Sequence, residues 1–231
     1  MARRASRSPG WFPPSSVQAF GTLVAVFTWL GVATFAVAGA LTASRKELDP
    51  VGFILIAAVT AFGGGTARDL MLGVPVFWLR MPEMVALTVL LAVATFFAAH
   101  LVERRFVVLV WADAIGLALF AVLGAEAAQR HGATPWAAVL LGTITATFGG
   151  ILRDVICGEL PLILRREIYA TAAALGAAVF VALYHLGAGR EAAVAAGTVV
   201  GFGLRALAIR RGWSLPAYRA RPGRDYPDAH R

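Results

Sequence analysis

Arg153 follows Arg68 by 85 positions, and the residues around the two arginines repeat at the same spacing. Phe62-Gly63-Gly64-Gly65-Thr66-Ala67-Arg68-Asp69 returns as Phe148-Gly149-Gly150-Ile151-Leu152-Arg153-Asp154. In this register Gly73 falls on Gly158 and Arg80 on Arg165; upstream, Gly31, Phe35 and Gly39 fall on Gly116, Phe120 and Gly124. Two slips are needed: one extra residue before the first glycine pair, and Pro75 one place earlier than Pro161. Agreement over so long a stretch marks an internal duplication, which limits the chain to folds built from two like halves.

Both copies lie inside long apolar runs. Hydrophobic residues make up 59% of the 231-residue chain and charged residues 15%, with mean hydropathy +0.73. A soluble domain carries about 25% charged residues, so the composition indicates an integral membrane protein. The net charge of +8 sits in turns and in the tail, where anionic lipid accounts for it without a nucleic-acid partner. One cysteine, Cys157, excludes an internal disulfide framework.

Runs long enough to span a bilayer fall at about 17–44, 51–72, 84–100, 106–128, 135–157, 168–185 and 192–209. They divide into a basic flexible leader (1–16), a three-helix repeat (17–101), a second three-helix repeat (102–186), a seventh helix (187–209) and a basic disordered tail (210–231). A cleavable signal sequence is disfavoured, because the small-residue segment 36–40 recurs in mid-chain. Three crossings per repeat make the second copy enter from the opposite face, so the expected fold is all-α with two inverted repeats. Placing the N-terminus outside puts twelve basic residues on the inner side and six on the outer. That favours N-outside, C-inside, although the basic leader dissents.

Three consecutive glycines are poor helix formers, each costing about 1 kcal/mol against alanine. Lipid cannot satisfy the backbone groups that a break would free. The glycines within the second and fifth spans therefore mark either paired breaks beside a wet pathway or close helix packing; the break is the leading expectation. A charge in the membrane costs at least about 2.5–3.5 kcal/mol without a partner. Adjacent helical side chains diverge by about 100°, so Arg68 and Asp69, like Arg153 and Asp154, are expected to find partners across the repeats. The aspartates would attract a cation and the arginines limit its residence; structural cross-bracing is the alternative.

Asp113 and its repeat mate Thr28 would offer oxygens at opposite mouths, unless Asp113 only caps a helix. Glu126 reads as interfacial, and Arg205 as snorkelling to the inner face. The candidate pathway is thus Gly63, Gly64, Gly65, Arg68, Asp69, Gly149, Gly150, Arg153, Asp154, Asp113 and Thr28. The histidines have no metal-ligand spacing, Gly63-Gly64-Gly65 lacks the Gly-Lys-Ser/Thr of a nucleotide loop, and no base is evident near Cys157. No enzyme and no cofactor are expected.

The motifs resemble the prokaryotic branch of the trimeric intracellular cation channel (TRIC) family, which is also labelled a glycine transporter domain family. The likeness rests on Gly63 to Asp69 with Gly73, Pro75, Val76, Phe77 and Trp78, then on Asp113, Gly116, Phe120 and Gly124. It continues through Gly149 to Pro161 and Arg165 to Ala170, and covers about 17–209. It implies a homotrimer in the cell inner (plasma) membrane, each protomer with a potassium-permeable pore. That pore would run between kinked second and fifth helices, flanked by the first and fourth, with sodium as a second candidate ion. Two departures stand out: Ile151 where a third glycine is commoner, and Thr28 where a symmetric pair would have an acid. The rival reading is a secondary transporter of a small zwitterion such as glycine.

Overall fold

The computed structural model describes residues 14–102 and 104–216, with side-chain surroundings from residue 21 onward. Most of the expected leader, and the tail beyond residue 216, lie outside the described residues. Seven α-helices follow in order: α1 Pro14–Arg45, α2 Pro50–Met71, α3 Pro82–Ala98, α4 Arg105–Arg130, α5 Pro135–Ile156, α6 Ala170–His185 and α7 Arg190–Arg211. Six carry stretches long and apolar enough to cross a bilayer; α6, with 16 residues, is the short one.

The ends of these helices are written in the chain. Pro50, Pro82 and Pro135 occupy first-turn positions, where a missing N–H costs nothing. The Asp49 carboxylate accepts the Gly52 N–H at 2.7 Å and caps α2. Past the other ends of α2 and α5 stand Gly73 and Gly158, at φ of 66° and 64°, in the left-handed region that glycine enters without a Cβ penalty.

The repeat is physical as well as textual. Starts and ends of α2 and α5 differ by 85 positions, as do the ends of α1 and α4. Packing exchanges partners across the halves. A Cβ on Gly64 would overlap the Thr145 carbonyl oxygen, and one on Gly149 would overlap that of Thr60. Gly31 packs on the Phe120 ring and Gly116 on that of Phe35. The repeat mates Phe35 and Phe120 stack with centroids 5.4 Å apart. Reciprocal contacts of this kind are the signature of a two-fold relation. With three helices per repeat, the pseudo-axis lies in the membrane plane.

Both α2 and α5 run through their glycines as continuous helices, so the expected break is absent. The glycines serve close approach instead: without Cβ atoms, two backbones meet at a distance no other residue permits.

Helix α7 packs mainly on α4 and α6 and has no counterpart in the first repeat. Gly176 of α6 fits against Gly197 and Gly201 of α7. Enclosed by α1, α5, α6 and α7, α4 is buried at every position from Gly116 to Ala128. In α1, by contrast, Val26 and Leu30 are exposed, as suits side chains facing lipid.

Candidate ion pathway at the crossing of α2 and α5

The reciprocal contacts of residues 60 and 64 with 145 and 149 place the pseudo-axis near Phe62 and Thr147. Arg68 and Arg153 lie six residues beyond it on helices of opposite direction. At 1.5 Å per residue, each pair stands about 9 Å from the axis. The pairs therefore sit in the last turns of α2 and α5, one on either side of the glycine crossing, rather than together at the midplane.

Within each pair the neighbours do bind each other, contrary to the expectation from helical geometry. Arg68 Nε donates to Asp69 Oδ1 at 2.8 Å, with Nη2 at 2.7 Å from the same oxygen. Arg153 Nε donates to Asp154 Oδ1 at 2.8 Å. The 100° divergence holds at Cα, but arginine is long enough to fold back across it. No Arg-Asp pairing joins the two repeats among the described residues. Each aspartate instead reaches forward in its own repeat: Asp69 Oδ2 accepts the Phe77 N–H at 2.8 Å and Asp154 Oδ2 that of Leu162 at 3.0 Å. Those amides open the 3-10 turns Phe77–Arg80 and Leu162–Leu164, so the carboxylate ties each helix end to the chain that re-enters the bundle.

Beyond this shared core the halves diverge. Asp113, expected at a mouth or a helix cap, is fully buried on α4 and holds Arg153 Nη1 at 2.7 Å. Arg153 itself is 0% exposed and is shared between two acids. Thr28, the repeat mate of Asp113, spends its hydroxyl on the Val24 carbonyl of its own helix at 2.7 Å. Arg68 thus has Asp69 as its ion-pair partner and lies 5.7 Å from the Phe77 ring. The first pair is roofed by aromatics: Trp78 stacks on Phe62 at 5.5 Å and donates to Thr66 Oγ1 at 3.0 Å.

Sequence reasoning missed Tyr169 and Glu167 in the second site and misplaced Arg205. The Tyr169 ring lies under the Arg205 guanidinium at 5.2 Å, and the Tyr169 hydroxyl approaches Gly150, a neighbour of Asp113 and Arg153. Arg205, expected to snorkel, is buried and bound to Glu167 Oε2 at 2.7 Å and the Ile168 carbonyl at 3.1 Å. The equivalent of Tyr169 in the first half is Met84, so no search by repeat would have flagged it. Arg153 Nη2 and Arg205 Nε are buried without hydrogen-bond partners among the described residues. Glu126, expected at the interface, is also buried, with Arg130 at 3.0 Å and Arg190 at 3.8 Å. No cluster able to hold a metal ion occurs among the described residues.

Fold and site together define a polytopic all-helical membrane protein of two inverted repeats, its buried charges mirrored about a helix crossing. The family model described as "Glycine transporter" matches residues 25–100 and again 110–185, two matches offset by the same 85 positions, and the chain belongs to that family. The UPF0126 inner membrane protein YadS of Escherichia coli (strain K12) is 39% identical over 197 residues, covering 82% of this chain and 95% of that protein. A UPF0126 membrane protein of Vibrio cholerae is 37% identical over 203 residues, 85% of this chain and 83% of that protein.

Among solved structures, the TRIC trimeric intracellular cation channel orthologue from Rhodobacter sphaeroides superposes with a TM-score of 0.81 at 54% identity. It covers 83% of this chain and all of that one. Another TRIC cation channel structure gives 0.78 at 34% identity, over 86% and 98% of the two chains. The relatives are membrane proteins and channels, and the chain is, like them, a multi-pass membrane protein and not an enzyme.

Proposed function

We propose that the chain conducts monovalent cations, chiefly potassium, through a path in each protomer between α2 and α5, flanked by α1 and α4. The observation that carries this reading is the pair of mirrored Arg-Asp sites, one on each side of the glycine crossing. A permeating cation meets a carboxylate held ready by a backbone amide, and an arginine that must yield before it passes. Buried charge is costly in a bilayer unless it serves transport or pairing. The partnerless Arg153 Nη2 is a group that water in a conducting path would satisfy. Likeness to the Rhodobacter sphaeroides channel at 54% identity supports the same conclusion, and with it a homotrimer.

The rest of the assignment follows that reading. Gly63, Gly64, Gly65, Gly149 and Gly150 shape the crossing. Asp69, Asp154 and Asp113 supply negative potential, Arg68 and Arg153 control passage, and Thr28 lines the outer entrance. The N-terminus lies outside, and 17–101 and 102–186 are the two repeats. A glycine carrier is disfavoured on one point: unbroken α2 and α5 present no half-helix N-terminus to a substrate carboxylate.

Planar-bilayer recording tests the reading. In a KCl gradient the reversal potential is expected near the potassium equilibrium value, and replacing potassium on one side with N-methylglucamine should abolish current from that side. A reversal potential at the chloride value would contradict it.

A further inference from the structure

Where α4 begins and α7 ends, a pocket of about 410 Å³ opens between them and the loop before α6. One wall is apolar, formed by Phe106, Val107, Trp111 and Trp213. Its polar lining is Arg165, which lies 5.6 Å from the Phe106 ring, with Arg166, Arg205 and one acid, Glu167. Two further arginines stand on its tryptophans: Arg210 lies 5.5 Å from the Trp111 ring and Arg211 5.5 Å from that of Trp213. Three arginines therefore line the pocket and two more stand on its tryptophans, while the single lining carboxylate is engaged by Arg205 at 2.7 Å.

Nearby acid does little to reduce the surplus. Glu159, which faces Arg165 at 3.6 Å, is shared with Arg45 at 3.1 Å and Lys46 at 3.4 Å. Arg166 is exposed and its side chain has no ion-pair partner among the described residues. The pocket is held open by chain pairing: Leu215 N–H donates to the Arg166 carbonyl at 2.9 Å, and Glu167 and Ser214 form an antiparallel bridge. Its place at helix ends, among tryptophans and arginines, is that of a bilayer interface.

We infer that this pocket binds an anionic phospholipid, its phosphate on Arg165 and Arg166 and the start of an acyl chain along Val107 and Trp111. A zwitterionic lipid would bring its own ammonium group against the arginine surplus, and a small soluble anion would leave the apolar wall bare. Charge and surface together call for an amphiphile with a phosphate head. This inference does not depend on what the protein conducts.

The test uses the full chain purified in a neutral detergent, with thermal unfolding followed as lipid is titrated. Dioleoyl phosphatidylglycerol is expected to raise the melting temperature saturably, whereas dioleoyl phosphatidylcholine and sodium phosphate do not. Arg166→Gln should move the phosphatidylglycerol midpoint about tenfold higher, the loss of one charge-assisted hydrogen bond. Trp213→Ala should weaken the response through the other wall, while Arg80→Gln, at the opposite end of the bundle, leaves it unchanged. Equal stabilisation by phosphatidylcholine, or by sodium phosphate alone, would overturn the proposal. So would an unaltered phosphatidylglycerol midpoint in both Arg166→Gln and Trp213→Ala.

Discussion

Arg68 and Arg153 occupy equivalent positions in the two repeats, yet one has a single acid beside it and the other has two. The difference lies at residues 28 and 113. Asp113 fixes Arg153 in the core, whereas Thr28 offers Arg68 no second acid. Thr28→Asp should therefore supply the missing acid, hold Arg68 and lower open probability in single-channel recordings; an unchanged or raised open probability would show that Arg68 does not gate. Asp113→Asn should leave the buried Arg153 with Asp154 as its remaining acid and lower stability by on the order of 2 kcal/mol, read as a lower melting temperature in detergent. Asp69→Asn, beside a partly exposed arginine, should cost less than half as much. The repeat made the Arg-Asp pairs legible in sequence. It hid their partners, because the side-chain reach of arginine and the cover provided by α7 do not follow the 85-residue offset. Arg205 and Asp113 were misread for one shared reason: the counter-charge of each, Glu167 and Arg153, is far away in sequence.

Helices α2 and α5 show what glycine does when it is flanked by good span residues. Its low propensity argued for a break, but intact helical hydrogen bonding and a close neighbour won. Gly64→Ala and Gly149→Ala should push the helices apart at the carbonyl oxygens of Thr145 and Thr60. Each is expected to lower the melting temperature and reduce assembled protein on a sizing column. Gly73→Ala meets no neighbour within 4 Å, so its cost is confined to a left-handed backbone, about 1–2 kcal/mol. If Gly64→Ala proves as mild as Gly73→Ala, the crossing is not as tight as described. Helix limits were legible to within three residues, helped by prolines 50, 82 and 135 and glycines 73 and 158, which punctuate them. The role of α7 was not, since an apolar run says nothing of which neighbour it covers.

For the molecule as a whole, two inverted halves put one Arg-Asp site on each side of the α2–α5 crossing, and Asp113 of α4 adds a second acid to one of them. Three such protomers are expected in the assembly: crosslinking in mild detergent should proceed to a trimer and stop there, and a protein that remains monomeric would oppose it. The central claim is passive cation conduction, and the direct measurement is ion flux from proteoliposomes loaded with potassium, with valinomycin controls and labelled glycine run in parallel. Fast potassium efflux that follows the imposed voltage, with no glycine uptake, is the predicted result. Saturable glycine uptake without a passive potassium leak would contradict it and make the mirrored aspartates and arginines parts of a substrate site.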